Sequence, residues 1–328
     1  GGDIIWQIGT GYFGCRTDEG NFDAEKFKVN ANRDVVKMIE IKLSQGAKPA
    51  HGGVLPAAKV DEEIAKIRGV SVGKTVISPP AHSAFSTPEG LLEYVEQLRD
   101  LTDGKPIGFK LCIGRRSEFM GICKAMLKTG ITPDFITVDG AEGGTGAAPV
   151  EFSNRLGVPI DEGLTFVHNC LVGIGLRKDI RIIASGKVVT GFDLMEKIAL
   201  GADMCNVARP MMFALGCIQS LRCNTNTCPT GVATQDPVRT RAVDVDLRKQ
   251  HVANFHDATI ESFRELVGAL GLDDPEDLTP DHIFQRVADQ TERSSHELYE
   301  FLDDGELLSE SIRPSYRRDW ERARAEAF

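Results

Sequence analysis

The sequence has no apolar run near the roughly 20 residues that a membrane-spanning helix requires, so no membrane crossing is expected within it. It also lacks an excess of basic residues: 38 Lys and Arg stand against 48 Asp and Glu, which gives a formal net charge of -10. A nucleic-acid-binding surface needs clustered cations to neutralise phosphates. The composition therefore favours small-molecule chemistry and predicts no nucleic acid partner.

The chain start carries no Met, no basic stretch and no apolar signal core, because it reads Gly1-Gly2-Asp3-Ile4-Ile5-Trp6. Such a start is typical of a fragment or a processed product, so a membrane anchor upstream stays an open question. Most of the 8 cysteines are scattered, several of them in apolar runs where a free thiol behaves as a small hydrophobe. We therefore expect a reducing, cytoplasmic compartment.

Short β-branched apolar runs alternate with longer amphipathic stretches between about residues 36 and 220. This pattern is typical of repeated βα units around a parallel sheet. Two helical stretches stand out, Pro88–Leu101 with Thr87 as its N-cap and Ser117–Lys128 ending before Gly130. The predicted strands are Ile4–Ile8, Met38–Leu43, Thr75–Ser78, Ile107–Leu111, Asp134–Val138, Arg181–Ser185 and Asp203–Val207.

This number of βα units is too large for most doubly wound sheets of this size and falls just short of a closed eight-stranded barrel. We predict an α/β fold, a (β/α)8 TIM barrel that is incomplete at its N-terminal end. Charged, Leu-spaced segments over 244–270 and 280–308 predict a helical extension packed on the barrel. The expected domains are the barrel with a cysteine segment over 1–238 and the helical extension over 239–328.

A dinucleotide fingerprint, G-x-G-x-x-G, is present at Gly9 to Gly14 directly after a strand-like run. The residues that follow continue a polar loop, whereas a pyrophosphate site requires the N-terminus of a helix there. We therefore favour a glycine-shaped barrel loop over NAD binding.

Two other Gly-rich loops follow predicted strands, at 139–146 and at 184–191. Backbone N–H groups exposed by small residues, with a helix start behind them, suit a phosphate group. Arg209, after the next strand, can supply a charge-assisted contact. Together these features predict the phosphate site of a barrel, although glycines that merely permit tight turns are the alternative for each loop alone.

Cys217, Cys223 and Cys228 are spaced C-x5-C-x4-C and are followed by Pro229. Thiolates are soft ligands, so an iron–sulfur cluster, a zinc ion and an ordinary structural role compete here. Zinc is disfavoured because no fourth Cys or His lies nearby, whereas three thiolates suit a cluster of three irons.

Lysines inside predicted strands are a further signal, because Lys110 lies in the apolar run Ile107–Leu111. A charge there is costly unless an anion meets it, and a reduced flavin ring is a natural partner. Lys42 has a similar setting, and Gln45 and Lys48 just beyond it offer an amide and an ammonium to a carboxylate substrate. Ordinary surface roles for these lysines remain the alternative.

Several segments together resemble the FMN-binding synthase domain of glutamate synthases, in particular its short bacterial relatives. The resemblance covers roughly residues 4 to 240. The segments that carry it are Glu40–Pro49, Ile77–Pro80, Glu142–Ala147 and, most specifically, Cys223–Pro237.

The resemblance implies a barrel that binds FMN, with Lys110 beside the flavin N1/O2 edge and Gln45 and Lys48 at the carboxylates of 2-oxoglutarate. It further implies a flavin-side Gln7 and a 3Fe-4S cluster in which the three cysteines of the C-x5-C-x4-C segment are the ligands. The positions that it implies for cofactor binding in the loops are Gly143, Gly144, Thr145, Ser185, Gly186, Lys187 and Arg209.

The implied reaction is the reduction of 2-iminoglutarate, formed from 2-oxoglutarate and ammonia, to L-glutamate, with electrons from ferredoxin or a reductase subunit. No amidotransferase nucleophile is visible, so ammonia is expected to be free or to come from a partner. Two alternatives stay open. One is a flavin and iron–sulfur enzyme for another amine or a 2-hydroxy acid, with His51, His82 or His168 as a base, and the other is a non-catalytic electron-transfer subunit.

Overall fold

Six parallel strands form the central sheet, and the computed structural model describes residues 2–48, 52–143, 148–149 and 151–328. In spatial order the strands are β1, β2, β5, β6, β7 and β8. In chain order all strands are β1 (Ile4–Ile8), β2 (Val36–Lys42), β3 (Val54–Leu55), β4 (Val76–Ile77), β5 (Ile107–Leu111), β6 (Phe135–Asp139), β7 (Arg181–Ser185), β8 (Met204–Asn206), β9 (Phe284–Ala288) and β10 (Thr291–Ser294).

Helices connect these strands and cover the outer face of the sheet. Several starts follow from local capping chemistry: the Thr87 side chain accepts from the Gly90 N–H, and Thr190 and Asp193 form a capping box. The helices are α1 (Ala24–Ala31), α2 (Glu62–Arg68), α3 (Pro88–Leu101), α4 (Arg116–Thr129), α5 (Ile160–Gly173), α6 (Gly191–Ala199), α7 (Arg209–Ala214), α8 (Pro237–Thr240), α9 (Val245–Ala269), α10 (Ser295–Leu298) and α11 (Pro314–Arg322).

The winding of the sheet is that of a barrel. The six strands of the central sheet lie side by side in the order in which they occur along the chain. In a doubly wound sheet this order would reverse at the switch point. All five strand pairings within the central sheet are parallel, with helices as crossovers. The predicted α/β class and the (β/α)8 type of winding are confirmed, as a six-stranded part of such a barrel in the described residues.

One predicted strand is wrong as a barrel strand. Val76–Ile77 pairs with Val54–Leu55 in a separate antiparallel hairpin that lies outside the central sheet. The physical reason follows directly in the sequence, because Pro79 and Pro80 cannot donate backbone hydrogen bonds and so prevent the strand from continuing.

The extension also differs from its prediction in one part. Helix α9 matches the expected helix over 244–270, but the segment over 280–308 contains the antiparallel hairpin of β9 and β10 with only short helical turns around it. Gln290, at the turn of this hairpin, has a φ of +60°. The division of the chain at residue 238 stays a prediction.

A buried ion pair ties α5 to α6. The Lys197 ammonium lies 2.5 Å from a carboxylate oxygen of Asp161 and 2.5 Å from one of Glu196, with its side chain only 3% exposed. Gln285 of β9 donates to the other oxygen of Glu196 at 3.3 Å. The extension is therefore anchored to the barrel helices by polar contacts as well as by its apolar side chains.

No helix within the described ranges is both long enough and apolar enough to cross a bilayer.

Candidate active site

Several polar side chains lie on the inner face of the sheet, whereas its outer face is apolar. Successive side chains of a strand point to opposite faces. Ile39, Ile41, Phe109 and Val138 are buried in the apolar core that the helices cover. The alternate positions carry the polar side chains of Glu40, Lys42, Lys110, Thr137 and Asp139.

Glu40 is the centre of a buried hydrogen-bond network on this inner face. It is 6% exposed, and its two carboxylate oxygens accept from Gln7 Nε2 and, at 2.5 Å, from Thr137 Oγ1. Two neutral donors thus satisfy a carboxylate that would otherwise be costly to bury. The predicted residue Gln7 is therefore held in place by Glu40. Sequence reasoning missed Glu40, although a charge within an apolar strand is the same signal that pointed to Lys110.

Three lysines converge on the same region. Lys110 Nζ lies 3.4 Å from Asp139 Oδ2, with the two side chains 17% and 18% exposed. Burial lowers the pKa of Lys42, and the nearby positive charges of Lys110 and Lys48 lower it further, while Asp139 opposes this. Burial also lowers the pKa of Lys48, whose ammonium donates to the Gly52 carbonyl at 3.2 Å. Ammonium groups that are partly stripped of water and crowd one another favour an anionic ligand.

The loop over 43–48, which carries Gln45 and Lys48, is fastened to the sheet by short contacts. The Gly46 N–H donates to Asp139 Oδ2 at 3.0 Å. A Cβ added to Gly46 would lie 1.5 Å from the Gly140 carbonyl oxygen, so only glycine allows the two backbones to approach this closely. At the start of the loop, the Ser44 hydroxyl accepts a backbone N–H from the end of β5 at 2.8 Å. The loop is therefore held rigidly at the C-terminal edge of the sheet.

Two residues of the loop after β6 make hydrogen bonds that stabilise the fold. Glu142 caps α5, because both of its oxygens accept from the Ile160 N–H at 3.0 and 3.2 Å. The Gly143 N–H donates to Asn154 Oδ1 at 3.2 Å. Gly144 and Thr145, which were expected to bind the cofactor, lie outside the described residues, as does His51. The cofactor role of this loop stays a prediction.

The residues expected to bind the phosphate group lie at the C-terminal ends of β7 and β8. Ser185 ends β7 beside Asp139, and its carbonyl accepts from the Gly140 N–H at 2.9 Å. Gly186 and Lys187 follow with φ values of +142° and +56°, and Arg209 begins α7 after β8. The strand order places these residues on neighbouring units at the same edge of the sheet. Whether they bind phosphate stays a prediction.

The backbone N–H groups just before α6 already donate to a side chain of the helix itself. The backbone N–H groups of Val189 and Thr190 both donate to Asp193 Oδ2, at 2.9 and 2.7 Å. The helix therefore carries its own carboxylate at the position where the sequence suggested exposed backbone donors.

The three cysteines lie between α7 and α8, and the thiols are free. Burial alone would raise the pKa of Cys228. The Thr230 hydroxyl and the backbone N–H groups of Ala233, Thr230 and Val232 outweigh it, so that the pKa lies below its ordinary value. Within the described ranges, which include these three thiols, no group of three His, Cys, Asp or Glu side chains is placed to hold a metal ion. The assignment of Cys217, Cys223 and Cys228 as ligands of an iron–sulfur cluster stays a prediction.

The cysteine segment nevertheless packs on the insertion that follows the substrate loop. Asn226 Nδ2 donates to the Ala58 carbonyl at 3.0 Å, and Lys59 Nζ donates to the Ala233 carbonyl at 3.2 Å. The insertion runs from β2 to α3 and includes Lys48. The two segments that carry the predicted metal and substrate residues are therefore joined by hydrogen bonds from side chains of each segment to backbone carbonyls of the other.

His82 and His168, two of the three candidate bases for hydroxy-acid oxidation, both have partners within the fold. His82 lies 3.0 Å from the Tyr12 hydroxyl through Nδ1 and 2.9 Å from the Lys42 carbonyl through Nε2, so both of its ring nitrogens are engaged. His168 accepts from Arg177 Nε at 3.1 Å on α5, away from the lysines. Both therefore have structural partners.

The family described as the conserved region in glutamate synthase matches residues 1–273. The chain is 44% identical over 289 residues to the glutamate synthase large subunit-like protein YerD of Bacillus subtilis, covering 88% of this chain and 55% of that protein. It is 35% identical to the archaeal NADPH glutamate synthase of Methanocaldococcus jannaschii, over 84% of this chain and 51% of that one. The chain spans about half the length of these curated relatives.

Among solved structures, a flavocytochrome b2 mutant with benzoylformate aligns over 85% of this chain and 59% of that one, at 16% identity and a TM-score of 0.47. This likeness is too weak to support a conclusion about function. The sequence relatives are the stronger finding, because their identity to this chain is higher and the family match covers most of it. This chain belongs to the glutamate synthase family.

Proposed function

We propose that this chain is the flavin- and substrate-binding part of a glutamate-synthase-type oxidoreductase. Its reaction would be the reduction of 2-iminoglutarate, formed from 2-oxoglutarate and ammonia, to L-glutamate. One observation carries the proposal: Lys42, Lys48 and Lys110 converge at the C-terminal edge of a barrel sheet. The loop that carries Lys48 also carries the amide of Gln45, and it is fastened to the sheet at Gly46. Active sites of this fold lie at that edge.

The residues present fit FMN and a dicarboxylate. The inner face offers ammonium groups to an anionic ring and to carboxylates, and Gly186 and Lys187 follow β7 with positive φ values, where a phosphate is expected. When bound, FMN supplies the hydride that reduces the imine carbon.

The chain's own residues would bind and orient the substrate. Lys48 and Gln45 would each hold a carboxylate of 2-oxoglutarate, because the loop that carries them is fixed at Gly46. Lys110 would stabilise negative charge on the reduced ring, and Gln7, fixed by Glu40, would orient its edge.

The iron–sulfur part of the proposal rests on the cysteine segment alone. Its support is the C-x5-C-x4-C spacing and the N–H groups around Cys228, a setting that stabilises thiolates. Iron and acid-labile sulfide analysis of anaerobically purified protein, with Cys223→Ser as the comparison, tests this part: equal iron in both proteins contradicts it.

Electrons would come from ferredoxin or a reductase subunit. The support is that one relative, 34% identical over 84% of this chain, is the ferredoxin-dependent glutamate synthase of Antithamnion sp.. Ammonia would be free or supplied by a partner.

The test is product formation by FMN-loaded protein under anaerobic conditions. Reduced ferredoxin, 2-oxoglutarate and nitrogen-15 ammonium are expected to give labelled L-glutamate, detected by mass spectrometry. Lys110→Met should lower the rate by about 100-fold, the usual scale for one electrostatic contact. Lys249→Met, which removes a 70%-exposed ammonium on α9, should leave the rate unchanged.

The proposal fails if no labelled glutamate forms from protein that holds FMN, and oxidation of lactate or glycolate by the same protein would redirect it to a 2-hydroxy acid.

A further inference from the structure

Asp139 occupies the point where the two halves of the candidate site meet. It is the last residue of β6 and projects from the inner face of the sheet, two positions beyond the buried Thr137. Its oxygen Oδ2 makes two contacts of different kinds: an ion pair with Lys110 Nζ at 3.4 Å and a hydrogen bond from the Gly46 N–H at 3.0 Å.

The two contacts lead to different parts of the site. Lys110 lies on β5 and faces the region expected to hold the flavin ring. Gly46 lies in the 43–48 loop, between Gln45 and Lys48, which are expected to hold the substrate carboxylates. A single carboxylate oxygen therefore touches both the cofactor side and the substrate side.

Among the residues that the structure describes, no other side chain accepts a hydrogen bond from the middle of the loop. Ser44 fastens its start, and the Ala47 carbonyl accepts from Ser153 Oγ at 3.4 Å, a long contact. At Gly46 the backbone also packs directly on the Gly140 carbonyl, the residue after Asp139, so a displacement of Asp139 would move the loop with it.

We infer that Asp139 is a positioning residue that fixes the 43–48 loop for substrate binding and, through the same oxygen, sets how much of the Lys110 charge the cofactor experiences. This inference rests on the proposed function and adds a residue that the sequence analysis did not assign. The two roles are separable, because one needs only a hydrogen-bond acceptor and the other needs a negative charge.

Two substitutions at this position distinguish the roles. Asp139→Asn keeps an oxygen for the Gly46 N–H but removes the charge, whereas Asp139→Ala removes both. The matched control is Asp246→Asn, which removes a carboxylate that is 87% exposed on α9. Circular dichroism and thermal unfolding check that each variant is folded.

The readouts are the dissociation constant of 2-oxoglutarate by calorimetry and the ratio of the dissociation constants of oxidised and reduced FMN, which is equivalent to the reduction potential of the bound flavin. Asp139→Asn should bind 2-oxoglutarate with a dissociation constant within about threefold of the wild-type value. Its preference for reduced over oxidised FMN should be about tenfold greater than that of wild type, since the Lys110 charge is no longer neutralised. Asp139→Ala should show the same FMN preference and bind 2-oxoglutarate at least tenfold more weakly.

Lys110→Met, which removes the ammonium and leaves the Gly46 contact, should shift the FMN preference in the opposite direction. This keeps the cofactor role testable if Asp139→Ala does not fold. An unchanged FMN ratio in both Asp139→Asn and Lys110→Met, or 2-oxoglutarate binding by Asp139→Ala equal to wild type, would overturn the inference. Wild-type protein that binds neither FMN nor 2-oxoglutarate would instead overturn the proposed function.

Discussion

The protein should lose stability steeply between pH 6.5 and pH 4 because of His168. Burial lowers the pKa of this imidazole to about 4, and the positive charge of Arg177 adds to the effect. Its Nδ1 accepts from Arg177 Nε at 3.1 Å, and Arg177 is held in turn by Asp203 at 2.9 Å. Protonation would place two cations against each other in a partly buried position.

The magnitude follows from the two pKa values of the group. In the unfolded chain His168 takes up its proton below about 6.5, but in the folded chain only below about 4. Between these values the unfolded state binds more protons, so the free energy of unfolding falls as the pH falls. A difference of about 2.5 pH units corresponds to a loss of about 3 kcal/mol by pH 4.

His168→Asn isolates this contribution, because the Asn oxygen can accept from Arg177 and does not titrate. Urea unfolding at pH 7, 5.5 and 4 should show wild type losing about 3 kcal/mol more than the variant, since the other titrating groups cancel in the difference. His256→Asn, at a ring that is 60% exposed, should track wild type at each pH. A wild-type-minus-variant difference that stays constant with pH would refute the reasoning.

Three further perturbations have defined outcomes. Gly46→Ala should destabilise the fold by about 3 kcal/mol and weaken 2-oxoglutarate binding, because its Cβ would overlap a carbonyl oxygen; urea unfolding and calorimetry measure the two effects. Lys197→Met should cost about 3 kcal/mol in urea unfolding, because two carboxylates lose the cation between them. The wild-type-minus-Cys228→Ser difference in ultraviolet thiolate absorbance should titrate below the ordinary thiol range, because backbone N–H groups favour the thiolate.

Matched controls separate these effects from general ones. Gly114→Ala adds a Cβ with open space around it and should change stability by less than about 0.5 kcal/mol. Lys249→Met removes an exposed ion pair and should also cost less than about 0.5 kcal/mol. Equal losses in a site variant and its control would contradict the corresponding prediction. For Cys228, a thiolate absorbance difference that titrates at or above the ordinary thiol pKa would contradict the prediction.

Local sequence patterns predicted the repeating units well. Residues 107–111 and 181–185 are strands over the predicted bounds, and α3 begins after the predicted cap Thr87. In these places hydrophobic period, capping residue and burial all point to one conformation. The segment 75–78 has the composition of a barrel strand, but it pairs with β3 outside the central sheet. Strand pairing depends on partners elsewhere in the chain, which local composition does not specify.

The site was predicted by residue type more than by arrangement. Lys110 and Lys48 were identified because charges in or beside apolar runs need partners. Glu40 and Asp139 were missed as site residues, since nothing local reveals that one meets Gln7 and the other meets Gly46. Those contacts join residues 33 and 93 positions apart.

The sequence by itself determined the βα alternation, the helix caps and the kinds of chemical groups at the strand ends, because these depend on short-range sterics and hydrophobic period. The tertiary structure decided which groups face one another: the pairing of Lys110 with Asp139, the fastening of the 43–48 loop, and the hydrogen bond between Gln7 and Glu40. The physical reason is that parallel strands bring together residues from separate βα units, and the register between strands sets which side chains share the inner face.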